Sequence, residues 1–395
     1  MDGPEETRRE GPLSDIVVVE LAHALAGPHA AMMLGDLGAR VIKVERPDGG
    51  DESRRWGPPF LKTESTYFLS CNRNKESITL DLAADDGREV FTRLISRADV
   101  LVTNLRPGVM DRLGLPFQDL QEMNPRLVVL TITGFGHEGA ERERPGYDQI
   151  LQGEAGLMSL TGLSPDAPTK VGGPIADILA GVDGAYGVLA ALHERARTDR
   201  GRVVRTSLLA AVIGSHAYLG TAWTVAGKLQ RADGNHHPSI APYGDFSCAD
   251  GSLQLAVGSE SLWRRFAPVV DADPDDPRFS TNEDRVRNRG ALIELIETAL
   301  SHETSAHWLS ELANVGIPAG RGRSLDQVYD WEQVASQGLV VETEHPTLGR
   351  IELPGPPLSF DGEPPRRHLA PPTLGQHNTS IREWLESTEP GQGRK

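Results

Sequence analysis

Asp15-Ile16-Val17-Val18-Val19-Glu20-Leu21, then Pro28 to Leu37, then Arg40-Val41-Ile42-Lys43-Val44-Glu45, is the stretch on which the fold turns. Both flanking runs are continuously apolar at their centres, as strands covered on both faces of a parallel sheet must be. The segment between them has a proline in its first turn and stops at Gly38, which is the punctuation of a helix. A β-α-β unit is predicted. The alternation continues with a helix over 86–98, a strand Val100-Leu101-Val102-Thr103 and a strand Leu127-Val128-Val129-Leu130-Thr131-Ile132. The fold class is therefore α/β, a Rossmann-like large domain with a mostly parallel sheet.

The pattern changes after the strand-like Arg202 to Leu208 and an apolar helix over 209–225. Residues 226–240 lack periodicity and are rich in turn residues, so they read as a linker or an active-site loop. Phe246 to Val257 reads as a hairpin turned at Asp250-Gly251. Helices near 261–270, 289–301, 304–314 and 324–336 complete a smaller α+β domain over 241–340. The large domain spans 14–225, and the Pro-rich 341–386 is expected to return to it. Residues 1–13 and 387–395 are expected to be disordered ends.

Composition narrows the function classes. A chain of 395 residues is long enough for two or three cored domains, and 42 glycines with 28 prolines imply many turns. The net charge of −16 argues against nucleic acid as a partner, because phosphates demand a basic face. No apolar run is read as a membrane span, and the polar, acidic start is wrong for a secretory signal, so a cytoplasmic protein is expected. Cys71 and Cys248 are too few for a disulfide framework or a zinc site and read as buried thiols. His236 and His237 point opposite ways on an extended segment with no acidic or thiol partner at ligand spacing, so no metal site is expected.

Lys170-Val171-Gly172-Gly173-Pro174-Ile175-Ala176-Asp177 carries the chemistry. Ile178, Leu179, Val182, Tyr186, Leu189 and Leu192 recur at helical spacing, so a helix runs from Ile175 to about Arg197 with Asp177 in its first turn. Free N–H groups and the helix dipole there favour the ionised carboxylate, and a lowered pKa is expected. The same residue serves as a helix cap without any chemistry. As a nucleophile it forms acyl intermediates, with Gly172 and Gly173 leaving room for a substrate carbonyl.

Several phrases in order along the chain resemble the class III CoA-transferase family, which includes formyl-CoA transferases and 2-methylacyl-CoA racemases. They are Leu25-Ala26-Gly27-Pro28, Leu37 to Pro47 followed by Gly50-Asp51, Asn72-Arg73-Asn74-Lys75, Asn104-Leu105-Arg106-Pro107-Gly108, Gly146-Tyr147-Asp148, Gly172 to Gly181, Ala241-Pro242-Tyr243-Gly244 and Asp276-Pro277-Arg278-Phe279. The resemblance implies an acyl-CoA:carboxylate CoA-transferase in which Asp177 attacks the thioester, passing through an aspartyl anhydride and an aspartyl-CoA. It implies coenzyme A bound, as the acyl-CoA substrate, by His23, Ala24, Leu25, Ala26, Arg46, Asn74, Lys75, Leu80, Asn104, Arg106 and Arg112. Tyr147, Gly234, Asn235 and His236 are implied to hold the acyl group, and no metal or redox cofactor is needed. An interlocked homodimer is implied, with small-molecule substrates and neither nucleic acid nor membrane as partners.

Three departures from the family pattern stand out. Ala83 replaces a frequent lysine, with Lys75 or Arg73 as candidate substitutes. Arg202 and Arg205 stand where Gln and Asp are usual. Tyr147 replaces the histidine of the racemases, and a phenol, whose ordinary pKa is about 10, is a poor base at neutral pH. A racemase or epimerase using Asp177 as a base is thus the second reading. A dinucleotide-dependent oxidoreductase lacks its glycine fingerprint, since a lone Gly27 precedes Pro28. Arg231 and the paired histidines suggest a dicarboxylic acyl group such as succinyl.

Overall fold

The computed structural model describes residues 10–362 and 368–387. The expected disordered ends, 1–13 and 387–395, lie outside the described residues apart from 10–13 and 387. There Leu13 is buried, its N–H donating to the Leu37 carbonyl at 2.9 Å, and Ser387 closes a helix. The chain divides into two compact units, residues 1–155, 171–217 and 332–395 in the first and 156–170 and 218–331 in the second.

A six-stranded parallel sheet forms the centre of the first unit. Its strands are β1 (Val17–Leu21), β2 (Arg40–Glu45), β3 (Lys75–Thr79), β4 (Val100–Thr103), β5 (Val128–Thr133) and β6 (Val203–Ser207), in the order β3-β2-β1-β4-β5-β6. The β-α-β prediction holds: α1 (Ala26–Asp36) links β1 to β2, and Val18 sits between Val41 and Val100 in register. α2 (Asp85–Arg97) leads to β4, α3 (Asp148–Glu154) follows β5, and α4 (Ile175–Thr198) leads to β6. β4 and β5 are wholly buried, which explains their uninterrupted apolar sequences.

α4 is long and apolar enough to cross a membrane by length and composition, contrary to the reading that no run qualifies. It instead lies against α1 and β5 with Ala176, Ala180, Gly181, Gly184, Ala185 and Val188 buried. A Cβ on Gly181 would stand 2.9 Å from the Ala26 carbonyl oxygen, so only glycine permits this approach.

β3 was missed by sequence. Lys75-Glu76-Ser77-Ile78-Thr79 looks too polar for a buried strand, yet its charges have partners: Lys75 meets Glu20 at 2.7 Å and Glu76 meets Arg40 at 2.8 Å. Its open edge is covered by the returning chain. The Asn74 N–H donates to the Leu369 carbonyl (2.9 Å), the His377 N–H to the Ser77 carbonyl (2.9 Å), and the Thr79 N–H to Asn378 Oδ1 (2.8 Å). The closing helix Asn378–Ser387 inserts Ile381 and Leu385 beside α2, and its Trp384 ring lies 4.3 Å from the Arg40 guanidinium carbon. A hairpin of Val340–His345 and Gly349–Pro354 precedes it and packs Val341 and Leu353 on Leu69.

The second unit is built on the predicted hairpin, Tyr243–Cys248 with Gly251–Ala256, extended by Ala319–Gly320. Phe246, Leu253, Trp263, Phe266, Ile296 and Leu312 form its core. Gly156–Lys170, placed in the large domain by sequence, belongs to this unit because Ser159 and Gly162 carbonyls accept from the N–H groups of Ala232 (2.9 Å) and Gly234 (3.0 Å). The single helix expected over 209–225 is two, Leu208–Ser215 and Ala217–Ala226, broken where Ala217 takes a φ of 47°. The expected 324–336 helix is likewise Leu325–Tyr329 and Glu332–Ser336. Cys71 is buried as expected, whereas Cys248 is only half-buried, with Asp250 Oδ1 at 3.4 Å from its sulfur.

Candidate active site

Strand order reverses between β1 and β4, and in open α/β sheets the loops leaving the carboxyl ends of two such strands part to form a crevice. Here the two loops are tied to each other. The His23 N–H donates to Asn104 Oδ1 at 3.0 Å, and Asn104 Nδ2 donates back to the His23 carbonyl at 2.7 Å. A cavity of about 530 Å³ opens beside them, lined by His23, Ala24, Ala26, Asn104, Arg106, Tyr147 and Asp177 among others. Burial lowers the pKa of His23.

Beneath the loop after β1 lies a buried set of charges. Lys43 meets Glu20 at 2.6 Å and Asp51 at 2.8 Å, and Lys75 meets the other oxygen of Glu20 at 2.7 Å. Glu45 takes the guanidinium of Arg54 on both carboxylate oxygens at 2.7 Å. Burial opposes ionisation of Asp51, but the Lys43 ammonium and the Ser53 donors overcome it and hold the carboxyl well below the usual range. The surrounding carboxylates likewise hold the Lys43 ammonium above its ordinary range despite burial.

Among the described residues no such cation is paired with Asp177. It sits in the first turn of α4, as predicted, but caps nothing, since the helix N-cap is Pro174 without a side-chain bond. The backbone N–H of Ala26, at the start of α1, favours the ionised form of Asp177. Asp148 stands nearby, accepting from the Ala176 N–H and from Gln152 Nε2, each at 2.8 Å. The expected lowered pKa is wrong. Burial first, and the Asp148 charge second, push Asp177 up to about 7 against the pull of the Ala26 donor. The helix terminus, judged in isolation, gives the wrong sign because it omits desolvation and a neighbour 29 residues away. Tyr67, facing the same cavity, is raised by burial and then by Asp177.

Not every predicted residue reaches this cavity. Arg46, Leu80 and Ala83 line a neighbouring one of about 360 Å³, shared with His23 and Leu105. Arg106 and Arg112 line a third, of about 430 Å³, with His137 and Arg142. Leu25 is instead the N-cap of α1 and packs with Met32 and Cys71. Lys75 is fully buried on Glu20, Asn72 and the Pro28 carbonyl, and Arg73 is held by Asp36, so neither is free to replace the lysine absent at Ala83. Asn74, at φ 62°, bonds Asp36 and the Leu369 backbone, away from the cavity. Gly234, Asn235 and His236 belong to the second unit, where His236 packs edge-on to Phe246 and His237 stacks between Tyr218 and Tyr243. Trp56 and Tyr67 in the cavity wall, edge to face at 4.9 Å, carried no signal in the sequence. Asp148 and Asp51 fall within Gly146-Tyr147-Asp148 and Gly50-Asp51, where the sequence assigns neither a role of its own. Among the described residues no group of three or more His, Cys, Asp or Glu could hold a metal ion.

The model of CoA-transferase family III matches residues 13–378. The chain belongs to that family. This class III CoA-transferase is 37% identical over 372 residues to succinyl-CoA:glutarate CoA-transferase of Mus musculus, covering 94% of this chain and 85% of the relative. It is 34% identical to acetyl-CoA:oxalate CoA-transferase of Acetobacter aceti, with 96% and 97% covered. Among solved structures, a CAIB/BAIF family protein from Brucella suis superposes with a TM-score of 0.84 at 36% identity, covering 95% of this CoA-transferase and all of that chain.

Proposed function

We propose that the enzyme moves CoA between an acyl-CoA and a free carboxylic acid through covalent intermediates on Asp177. The observation that carries this reading is a half-buried carboxylate with no cationic partner among the described residues, its ionised form favoured by a helix-start N–H, in the wall of the cavity at the sheet's switch point. A desolvated anion of raised pKa is a stronger nucleophile than an exposed carboxylate once ionised.

Asp177 attacks the thioester carbonyl, the C–S bond breaks, and CoA thiolate leaves a mixed anhydride. The thiolate then attacks the Asp177 carbonyl carbon and expels the first acid as its carboxylate. The resulting aspartyl-CoA keeps the energy of the thioester. The acceptor carboxylate attacks that carbon in turn, again expelling thiolate, which takes the acceptor's acyl group and frees Asp177. In the two attacks on the Asp177 carbonyl carbon, the Ala26 N–H donates to the Asp177 oxygen that gains charge.

Dicarboxylic acids are the proposed substrates. The relatives' names specify succinyl, glutarate and oxalate, with acetyl the one monocarboxylic group, and Arg142 and Arg144 stand in the cavity wall with Arg106 as candidate partners for a distal carboxylate. Exposed Tyr186, Leu189 and Ile213 support a second copy of the chain as the partner in solution, measurable as mass by light scattering.

The deciding experiment is peptide mass spectrometry after incubation with a panel of acyl-CoA thioesters and hydroxylamine. A hydroxamate on Asp177 that is absent in Asp177→Ala, largest with dicarboxylic donors, is the expected result. Solvent deuterium entering the α-carbon without an acceptor acid, and no hydroxamate, would replace this reading with the racemase one.

A further inference from the structure

The loop between β1 and α1 is held in a conformation it would not choose alone. Ala24 has a φ of 64°, the left-handed region that a residue with a Cβ seldom adopts outside an enforcing context. The enforcing contact is Asp51. Its Oδ1 accepts the Ala24 N–H at 3.1 Å, together with the Ser53 N–H at 2.9 Å and the Ser53 hydroxyl at 2.7 Å. Its other oxygen, Oδ2, is anchored on Lys43 at 2.8 Å. Lys43 also donates to the Ala22 carbonyl at 2.9 Å, and Asn104 grips His23 through both backbone groups. The three residues before Leu25 are thus each fixed by a different side chain. Two residues beyond Ala24, Ala26 lines the same cavity as Asp177, and its backbone N–H favours the ionised Asp177 carboxylate.

We infer that Asp51 is a positioning residue for the reaction: by fixing the left-handed turn at Ala24, it aims the Ala26 N–H at Asp177. The inference rests on the nucleophilic role proposed for Asp177. It assigns the buried Lys43–Asp51 pair a purpose beyond satisfying charge. Glu20 already meets Lys43 at 2.6 Å, so the ammonium is not without an anion when Asp51 is altered. Of the two carboxylates on Lys43, only Asp51 also holds the Ala24 N–H.

The sign of one measurement separates aiming from simple electrostatics. Removing the Asp51 charge while Lys43 stays makes the surroundings more positive, which by Coulomb attraction alone would lower the pKa of Asp177. Losing the Ala26 donor would raise it, because a hydrogen bond to the ionised form is gone. The test is carbon NMR of protein labelled at the aspartate carboxyl, with the Asp177 signal assigned through Asp177→Asn, titrated in the free enzyme. In folded Asp51→Asn, the expected result is a rise of about one pH unit. A fall of kcat by about 10- to 100-fold, with KM for the acyl-CoA within about threefold, should accompany it.

If Asp51→Asn does not fold, Asp51→Glu decides. It keeps the charge on Lys43, but its extra methylene moves the oxygens off the Ala24 N–H, and the same rise is expected. An unchanged or lowered Asp177 pKa in either folded variant overturns the inference. Because the titration needs no substrate, it stands even where the wild-type enzyme fails to form an Asp177 hydroxamate, a result that would sink the proposed transfer instead.

Discussion

Asp51, buried, and Asp177, half-buried, are two carboxylates at the same end of one sheet, and they are kept in opposite ways. Asp51 has an ammonium on one oxygen and three donors on the other, so burial fails to protonate it. Asp177 has one backbone donor and a carboxylate neighbour, so burial prevails. A carboxylate that is fully satisfied stabilises the fold and is inert. One left short of partners costs stability and keeps its electrons for a substrate, a trade expected where function sits.

That contrast can be broken most forcefully in activity. Asp177→Ala should abolish CoA transfer, a loss on the order of 10⁴-fold or more in kcat, whereas Lys43→Met should leave transfer measurable in whatever fraction folds. A residual rate within tenfold of wild type in Asp177→Ala, measured by exchange of labelled acid into acyl-CoA, would remove Asp177 from the chemistry.

Stability should invert the order. Lys43→Met leaves Asp51 buried without its cation and should cost about 3–5 kcal/mol in urea unfolding at pH 7. Because the native pKa of Asp51 is depressed, its contribution is present above the ordinary carboxylate range and is lost as pH falls towards the native value. Asp177 has the reverse sign. Its native pKa of about 7 lies above that of the unfolded chain, so the folded state holds the extra proton and stability declines as pH rises from about 4 through 7. Asp177→Asn should therefore gain about 2–4 kcal/mol at pH 8 and nothing at pH 4. Equal melting curves at pH 8 for Asp177→Asn and wild type would show that the carboxylate is not strained there.

The smallest effects sharpen the assignment of causes. If ionised Asp177 is the nucleophile, as proposed, the acid limb of kcat/KM should fall near pH 7. Asp148→Asn should move that limb to lower pH by about one unit or less, because the Asp148 charge is the second cause after burial. A limb left near pH 4 in the wild type would mean that bound acyl-CoA supplies the anion with partners the free cavity lacks.

How far the chain could be read follows from where the causes lie. The sheet centre was legible because β1, β2, β4 and β5 are buried on both faces and their sequences say so without help from distant residues. The start of α4 was legible from local punctuation. β3 was not, since Lys75 and Glu76 are admitted to the interior by Glu20 and Arg40, partners no window around them contains. The same limit explains the error on the acidity of Asp177, which burial and Asp148 set, and it hid the bonds that hold the Lys75 and Asn74 side chains inside the fold. Tyr67 and Trp56 enter the cavity wall through a segment with no regular pattern, so nothing marked them.

The covering of β3 by residues 368–387 also has a consequence for how the molecule is made. Synthesis runs from the N-terminus, so β1 to β6 emerge well before the residues that pair with Asn74, Ser77 and Thr79. Throughout that interval the nascent sheet presents an unpaired parallel edge to its surroundings. A ribosome stalled, or a message truncated, between β6 and Leu369 would release a chain whose sheet is complete except for its seal, and such fragments should go to aggregates or chaperones rather than to a partly active enzyme.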